Sequence, residues 1–184
     1  MADEISRGGI GDGEIVLRPY EPSDAWDLFE AARESIQEMR PWMPWCHEHY
    51  ALADSEQYIE RTMRDWHMAL EYSFCIRSAV DGTFLGGCGI NRIDAMYQTG
   101  NLGYWVRSSR TCRGIATRAT SLLARWAFDM IPLRRIEIIC GVGNRPSRQV
   151  AVHVGAVEEG RLRARLLVHG VPHDAVLYSL LADI

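Results

Sequence analysis

The chain is predicted to fold as an α+β sandwich, with one mixed, mostly antiparallel sheet of about seven strands flanked by helices. Three observations predict it. Hydrophobic periodicity alternates between two and 3.6 residues in the order β α α β β β α β α β β. A strand, a turn and a long amphipathic helix run from Asn101 to Met130 and lead into another apolar strand, the pattern of a right-handed parallel crossover. Asp81-Gly82 and His169-Gly170 are hairpin turns, which make their flanking strands antiparallel. A sheet holding both kinds of connection is mixed, with helices packed on it.

The elements follow in order. Ile15 to Tyr20 alternates apolar and polar residues as a first strand. Pro22-Ser23-Asp24 stops it and offers N-caps for a helix through Ser35. A Trp- and Pro-rich loop, Arg40 to Trp45, comes next. Asp54 or Ser55 opens a second helix with Ile59, Met63, Trp66 and Leu70 on one face. Tyr72 to Val80 and Thr83 to Ile93 form a hairpin, and the loop Asp94 to Gly100 leads to the strand Asn101 to Val106. The long helix from Gly114 to about Met130 carries Ile115, Ala119, Leu122, Leu123, Trp126 and Met130 on its apolar face. Arg135 to Cys140 is a buried strand, Gly143 to Ser147 a turn capping a short helix that ends near Gly155, and two strands finish the chain. The Gly86-Gly-Cys-Gly89 run lacks dinucleotide spacing and lies between strands, which points to close backbone packing.

Composition narrows the class. With 184 residues, 47% of them hydrophobic and 24% charged, the chain suits one domain with a sizeable core. No apolar run reaches membrane-spanning length, so no membrane partner is expected. Residues 1–13 are acidic and Gly-rich, without the basic start and apolar stretch of a signal peptide; they read as a flexible tail before a single domain over 14–184, in a cytoplasmic protein. Five cysteines without paired spacing argue against disulfides, and Cys75, Cys88 and Cys140 lie in apolar strands as small core residues. A net charge of −4 argues against general nucleic-acid binding. Cys46-His-Glu-His49 lacks further ligands at metal spacing, so no metal is expected.

The most informative stretch is Asn101 to Thr117. A strand runs into a basic turn (Arg110, Thr111, Cys112, Arg113, Gly114) and then into a helix. Helix N-terminal N–H groups point outward unpaired and the helix dipole favours an anion there, so this unit suits a phosphate-bearing ligand near Arg113-Gly114. Arg107, Arg110, Arg113 and Arg118 add positive charge beside it.

These motifs together resemble the GNAT acetyltransferase superfamily, and within it the RimJ/RimL branch that acetylates ribosomal-protein N-termini. The resemblance is carried by Leu17 to Ala25, by Gly103 to Val106 with Arg113 to Thr117, by Asn144 to Ser147, and by Gly155 to Arg163 with His173 to Leu180. It implies acetyl-CoA as co-substrate. The backbone N–H groups of Arg113, Gly114, Ile115, Ala116 and Thr117 would face the pyrophosphate. The backbone of Trp105 and Val106 would hold pantetheine like an added strand, and Asn144 would hold the cofactor near its thioester. Two residues of the cofactor turn depart from the family pattern: Thr111 stands where Gln or Arg is usual, still offering a hydroxyl and an N–H, and Cys112 replaces a frequent Gly. Ala156 replaces a Phe and widens a wall. The resemblance also allows a homodimer.

Acyl transfer to an amine needs a neutral amine, a donor for the oxyanion and a proton or hydrogen bond for the departing thiolate. The resemblance puts a backbone N–H of Tyr104 to Val106 at the oxyanion and Ser147 near the sulfur, although Ser147 could equally only cap the following helix. Many relatives carry Glu where this chain has Asn101, which cannot accept a proton; Glu71 is the alternative base. Trp42, Met43 and Trp45 could line an acceptor groove or only pin their loop to the core. An α-amine with a pKa near 7.8 costs about 1 kcal/mol to neutralise at pH 7, and a lysine near 10.4 about 4–5 kcal/mol. A site without a dedicated carboxylate therefore favours an α-amino group of a protein or peptide, with a small-molecule amine as the nearest variant. A non-catalytic acyl-CoA-binding module is the rival from another class.

Overall fold

A computed structural model describes residues 9–182. The elements are β1 (Ile10–Gly11), β2 (Ile15–Pro19), α1 (Ala25–Glu34), α2 (Ile36–Met39), α3 (Leu52–His67), β3 (Tyr72–Ser78), β4 (Phe84–Asp94), β5 (Thr99–Val106), α4 (Ile115–Met130), β6 (Arg135–Gly141), α5 (Arg145–His153), β7 (Val157–Val168) and β8 (Val171–Leu181). The eight strands form one sheet in the order β1-β2-β3-β4-β5-β6-β8-β7. The β5–β6 pair is parallel, as a crossover through α4 requires, and the other neighbours are antiparallel. This is the mixed sheet the periodicity predicts, with one further short strand.

Both faces are covered through the middle of the sheet, while the edge strand β7 is largely exposed. In β3, Phe74 and Ile76 join the main core with Leu102, Leu123, Ile136 and Ile138, built around α4, while Cys75 between them joins Tyr20, Leu28, Ala31 and Ile59 under α1 and α3. Strand alternation sends neighbours to opposite faces, so a continuous apolar run marks a strand buried on both. Cys88 and Cys140 are core residues as well, while Cys112 is exposed.

The boundaries differ from expectation where side chains compete with the backbone. The first helical stretch is broken: Pro22–Asp24 is a 3-10 turn, and α1 ends at Ser35, whose hydroxyl bonds back to the Ala31 carbonyl at 2.7 Å. The second helix opens at Leu52, because Asp54 sits inside its first turn and accepts the Ala51 N–H at 2.7 Å. Leu70 lies beyond this helix and is exposed. Of the stretch read as a tail, residues 1–8 lie outside the described residues; Ile10 and Gly11 pair with Leu17 and Val16.

Asp24 is the buried ionic centre of the α1 side. It is fully buried, takes two bonds from Arg18 (2.8 and 2.7 Å), one from the Glu21 N–H (2.8 Å) and one from Arg77. Burial pushes its carboxyl up, but these donors outweigh it and hold the group below the usual carboxylate range. Among the described residues, no helix is long and apolar enough to cross a membrane.

Candidate active site

The sheet opens where its two parallel strands meet. β5 and β6 pair only at Thr99–Arg135, Gly100–Ile136 and Asn101–Glu137. Beyond Asn101, β5 continues to Val106 beside β4 alone. Arg107 donates to the Leu85 carbonyl at 2.9 Å, so strand alternation aims the polar backbone groups of Trp105 at β4 and those of Tyr104 and Val106 into the gap. The expectation for Trp105 is corrected here: its backbone is committed to Gly87, and its indole is what reaches the site. The Val106 backbone and that of Tyr104 are the groups free to add a strand-like ligand.

At the end of β5 the chain makes its basic turn. Gly114 is the N-cap of α4 at φ +75°, with no side chain capping the helix. The first helical bond is Arg118 N–H to the Gly114 carbonyl, 3.0 Å, which leaves the N–H groups of Ile115, Ala116 and Thr117 without intrahelical partners. Cys112 also takes a left-handed backbone, at φ +60°. This explains why a glycine is common at its place in the motif. Thr111 departs from expectation: its N–H and hydroxyl both go to the Ser108 carbonyl (3.4 and 3.0 Å), so neither donor is spare. Arg113 and Gly114 are exposed.

The basic cluster divides in two. Arg107 is paired with Glu34, and its bond drives the Glu34 carboxyl down to about 2. Arg118 is paired with Asp12 at 2.8 Å and Glu14 at 3.2 Å. Arg110 and Arg113 have no carboxylate partner among the described residues. Glu34 also accepts the Ser109 N–H (2.7 Å), the Ser35 hydroxyl accepts the Ser108 N–H (2.9 Å), and Glu38 accepts the Ser108 hydroxyl (2.8 Å). The end of α1 and the start of α2 therefore clamp the segment leading into the turn.

Across the gap, α5 begins. Asn144 caps it by accepting the Ser147 N–H at 3.2 Å. The capping role thus belongs to Asn144, whose oxygen is taken, and the Ser147 hydroxyl is left for other partners. Those are the Tyr104 hydroxyl at 3.3 Å and Cys140 Sγ at 3.2 Å. The Tyr104 hydroxyl donates to the Ser147 carbonyl at 2.7 Å. The sequence expectation for Tyr104 concerns its strand and its backbone N–H; nothing in its spacing marks a side-chain bond spanning 43 positions.

On the α1 and α3 side of the sheet lies an open cavity of about 780 Å³. Gly103 is part of its floor, and a Cβ there would meet nothing within 4 Å. Trp45, Tyr50, Tyr58 and Trp105 form aromatic walls, with Trp45 edge-on to Trp105 at 5.6 Å. Glu71 lines the cavity and accepts the Ser73 hydroxyl at 2.6 Å. Asn101 does not line it; its amide donates to Asn91 at 2.9 Å. Met43 and Trp45 reach the cavity, whereas Trp42 packs against the backbone of Gly141 and Gly143, where a Cβ would come within 3.0 Å of its ring. Arg61 and Arg64, which sequence reasoning passed over, also face the cavity; their nearest carboxylate, Asp65, is 3.9 and 3.7 Å away. Among the described residues, no group of three His, Cys, Asp or Glu side chains is placed to hold a metal ion.

Residues 14–157 match the family model described as "Acetyltransferase (GNAT) domain". A protein of Bacillus subtilis (strain 168) named "Putative ribosomal N-acetyltransferase YdaF" is 33% identical over 169 residues, 91% of each chain. Among solved structures, the microcin C7 self-immunity acetyltransferase MccE in complex with acetyl-CoA and AMP superposes with a TM-score of 0.90 at 26% identity, covering 97% of this chain and 98% of that one. RimJ of Mycobacterium smegmatis, in complex with CoA-disulfide, gives a TM-score of 0.84 at 30% identity over 91% and 82%.

Proposed function

We propose, for a chain that belongs to the acetyltransferase (GNAT) family and is therefore an acetyl-CoA-dependent N-acetyltransferase, that the acceptor is the α-amino group of a protein or peptide, as in the RimJ/RimL branch. The observation that carries this reading is the open, 780 Å³ cavity over Gly103, next to the strand gap, with Glu71 in its wall and an amide at Asn101. A peptide end fits an open cleft, and an α-amine is the acceptor that asks least of a base.

The residues divide the work as follows. The N–H groups at the start of α4 and the unpaired Arg110 and Arg113 hold the pyrophosphate. The gap-facing backbone of Tyr104 and Val106 holds the pantetheine arm, and an N–H on this edge serves the oxyanion. Glu71 takes the amine proton, directly or through one water, with Ser73 orienting its carboxylate. The Ser147 hydroxyl stands for the departing thiolate. Asn101 has no proton-transfer part.

A second reading, a small anionic amine, is favoured by Arg61 and Arg64 in the cavity wall and by the likeness to MccE, solved with AMP. Thiol release from acetyl-CoA decides between them, measured with peptides bearing a free N-terminus, the same peptides blocked but for a lysine, and aminoacyl nucleotides. Turnover at least a hundredfold faster on the free N-terminus is expected. Turnover confined to the nucleotides would replace the first reading by the second.

A further inference from the structure

We propose that Tyr104 is a positioning residue that acts through Ser147; this rests on the reading that Ser147 serves the leaving thiolate. Three contacts define the arrangement. Tyr104 donates its only hydroxyl proton to the Ser147 carbonyl at 2.7 Å. Its oxygen is then an acceptor, and the Ser147 hydroxyl donates to it at 3.3 Å. With the Ser147 proton so used, the contact of 3.2 Å between Cys140 Sγ and Ser147 Oγ is S–H donating to Oγ. The result is one directed chain: Cys140 thiol to Ser147 hydroxyl to Tyr104 hydroxyl to Ser147 carbonyl.

This chain spans the place where the sheet is open. Tyr104 belongs to the free half of β5, Cys140 to β6 and Ser147 to the first turn of α5. The Tyr104–Ser147 bonds thus fix the distance between β5 and α5 beyond the last β5–β6 pair at Asn101–Glu137. Burial pushes the phenol far above its ordinary range and the Cys140 thiol up as well, so both keep their protons at neutral pH and are available as donors. A serine hydroxyl is a poor acid; what it can offer a thiolate is a well-aimed O–H. The long bond to Tyr104 holds that O–H on one rotamer while remaining weak enough to be exchanged for a bond to sulfur. Cys140, donating from behind, keeps the serine oxygen polarised when that exchange occurs.

The test is a double-mutant cycle on the full chain with acetyl-CoA and the best peptide acceptor. Tyr104→Phe is expected to lower kcat about tenfold with KM for acetyl-CoA within twofold of the parent, and Ser147→Ala to lower kcat at least tenfold. In the Ser147→Ala background, Tyr104→Phe should change kcat less than twofold. Circular dichroism and CoA affinity of each variant identify any that fails to fold. A neutral Ser147→Ala overturns the Ser147 reading and the proposal with it. A slow Ser147→Ala combined with a neutral or fully additive Tyr104→Phe overturns the proposal alone, as does a Tyr104→Phe loss confined to KM.

Discussion

Replacing Gly114 separates the fold from the anion site. The residue is at φ +75°, and a Cβ added to it meets nothing within 4 Å. Gly114→Ala therefore carries only the backbone penalty of an L residue in the left-handed region, about 1–2 kcal/mol. Lower entropy of the unfolded chain returns roughly 0.5–1 kcal/mol of that. For a domain of this size the net loss of about 0.5–1 kcal/mol lowers Tm by about 1–4 °C. Gly114→Glu has the same backbone and adds a negative charge at the head of α4. About 5 Å from a phosphate, one unit charge costs about 0.8 kcal/mol in water and about 3 kcal/mol at an effective dielectric of 20. CoA affinity should then be about fourfold to a few hundredfold weaker in the Glu variant than in the Ala variant, with the two Tm values nearly equal. Calorimetric titration with CoA and thermal denaturation measure both, and about 0.5 M salt should narrow the affinity difference. Equal CoA affinities for the two variants would refute the placement of an anion at this helix end.

Other consequences are equally direct. Asp24→Ala removes both close carboxylate bonds of Arg18 and one of the two held by Arg77, which keeps Asp27 at 2.8 Å, and should cost about 3 kcal/mol, read by urea denaturation. The folded Glu34 carboxyl titrates at about 2 against an ordinary 4.5, so its contribution is complete above pH 4.5 and is lost as pH falls towards 2; a Glu34→Gln variant should show a shallower loss of stability over that window and a raised KM for acetyl-CoA. Cys112→Gly relieves a left-handed cysteine and should leave stability unchanged or raise it by up to about 1 kcal/mol, with CoA affinity retained in titration. Glu71→Gln should lower kcat on α-amines by about 10²-fold and leave CoA affinity unchanged; a loss that alkaline pH does not reduce would argue against its role as base.

What could be read from sequence follows the range of the interactions. The order of elements along the chain from Ile15 onward, the crossover at Gly114 and the burial of Cys75, Cys88 and Cys140 are legible from local periodicity, because a period of two or 3.6 is imposed by neighbours. Asp24 reads as a cap beside Pro22 and Ser23; its carboxylate does take the Glu21 N–H and two bonds from Arg18, but the bond from Arg77, 53 positions away, has no local signal. The four arginines near the turn looked alike, and only the Glu34 and Asp12 contacts, 73 and 106 positions distant, show that two are already neutralised. Trp42 and Trp45 are three residues apart in one loop, yet one lies on the glycines at the end of β6 and the other in the cavity wall. Composition contains no term for such pairings, which exist only once the sheet has brought distant segments together.

The short β5–β6 pairing has a thermodynamic corollary. A strand edge left bare inside a protein is unfinished secondary structure, and on the proposed reading the donor substrate is the piece that finishes it. Binding then counts as a last step of folding: CoA at a hundred times its dissociation constant should add about 2.7 kcal/mol to the stability of the domain. The protection against amide exchange should concentrate at Tyr104 and Val106, whose groups face the opening, and be slight at Trp105, whose backbone is already paired with Gly87.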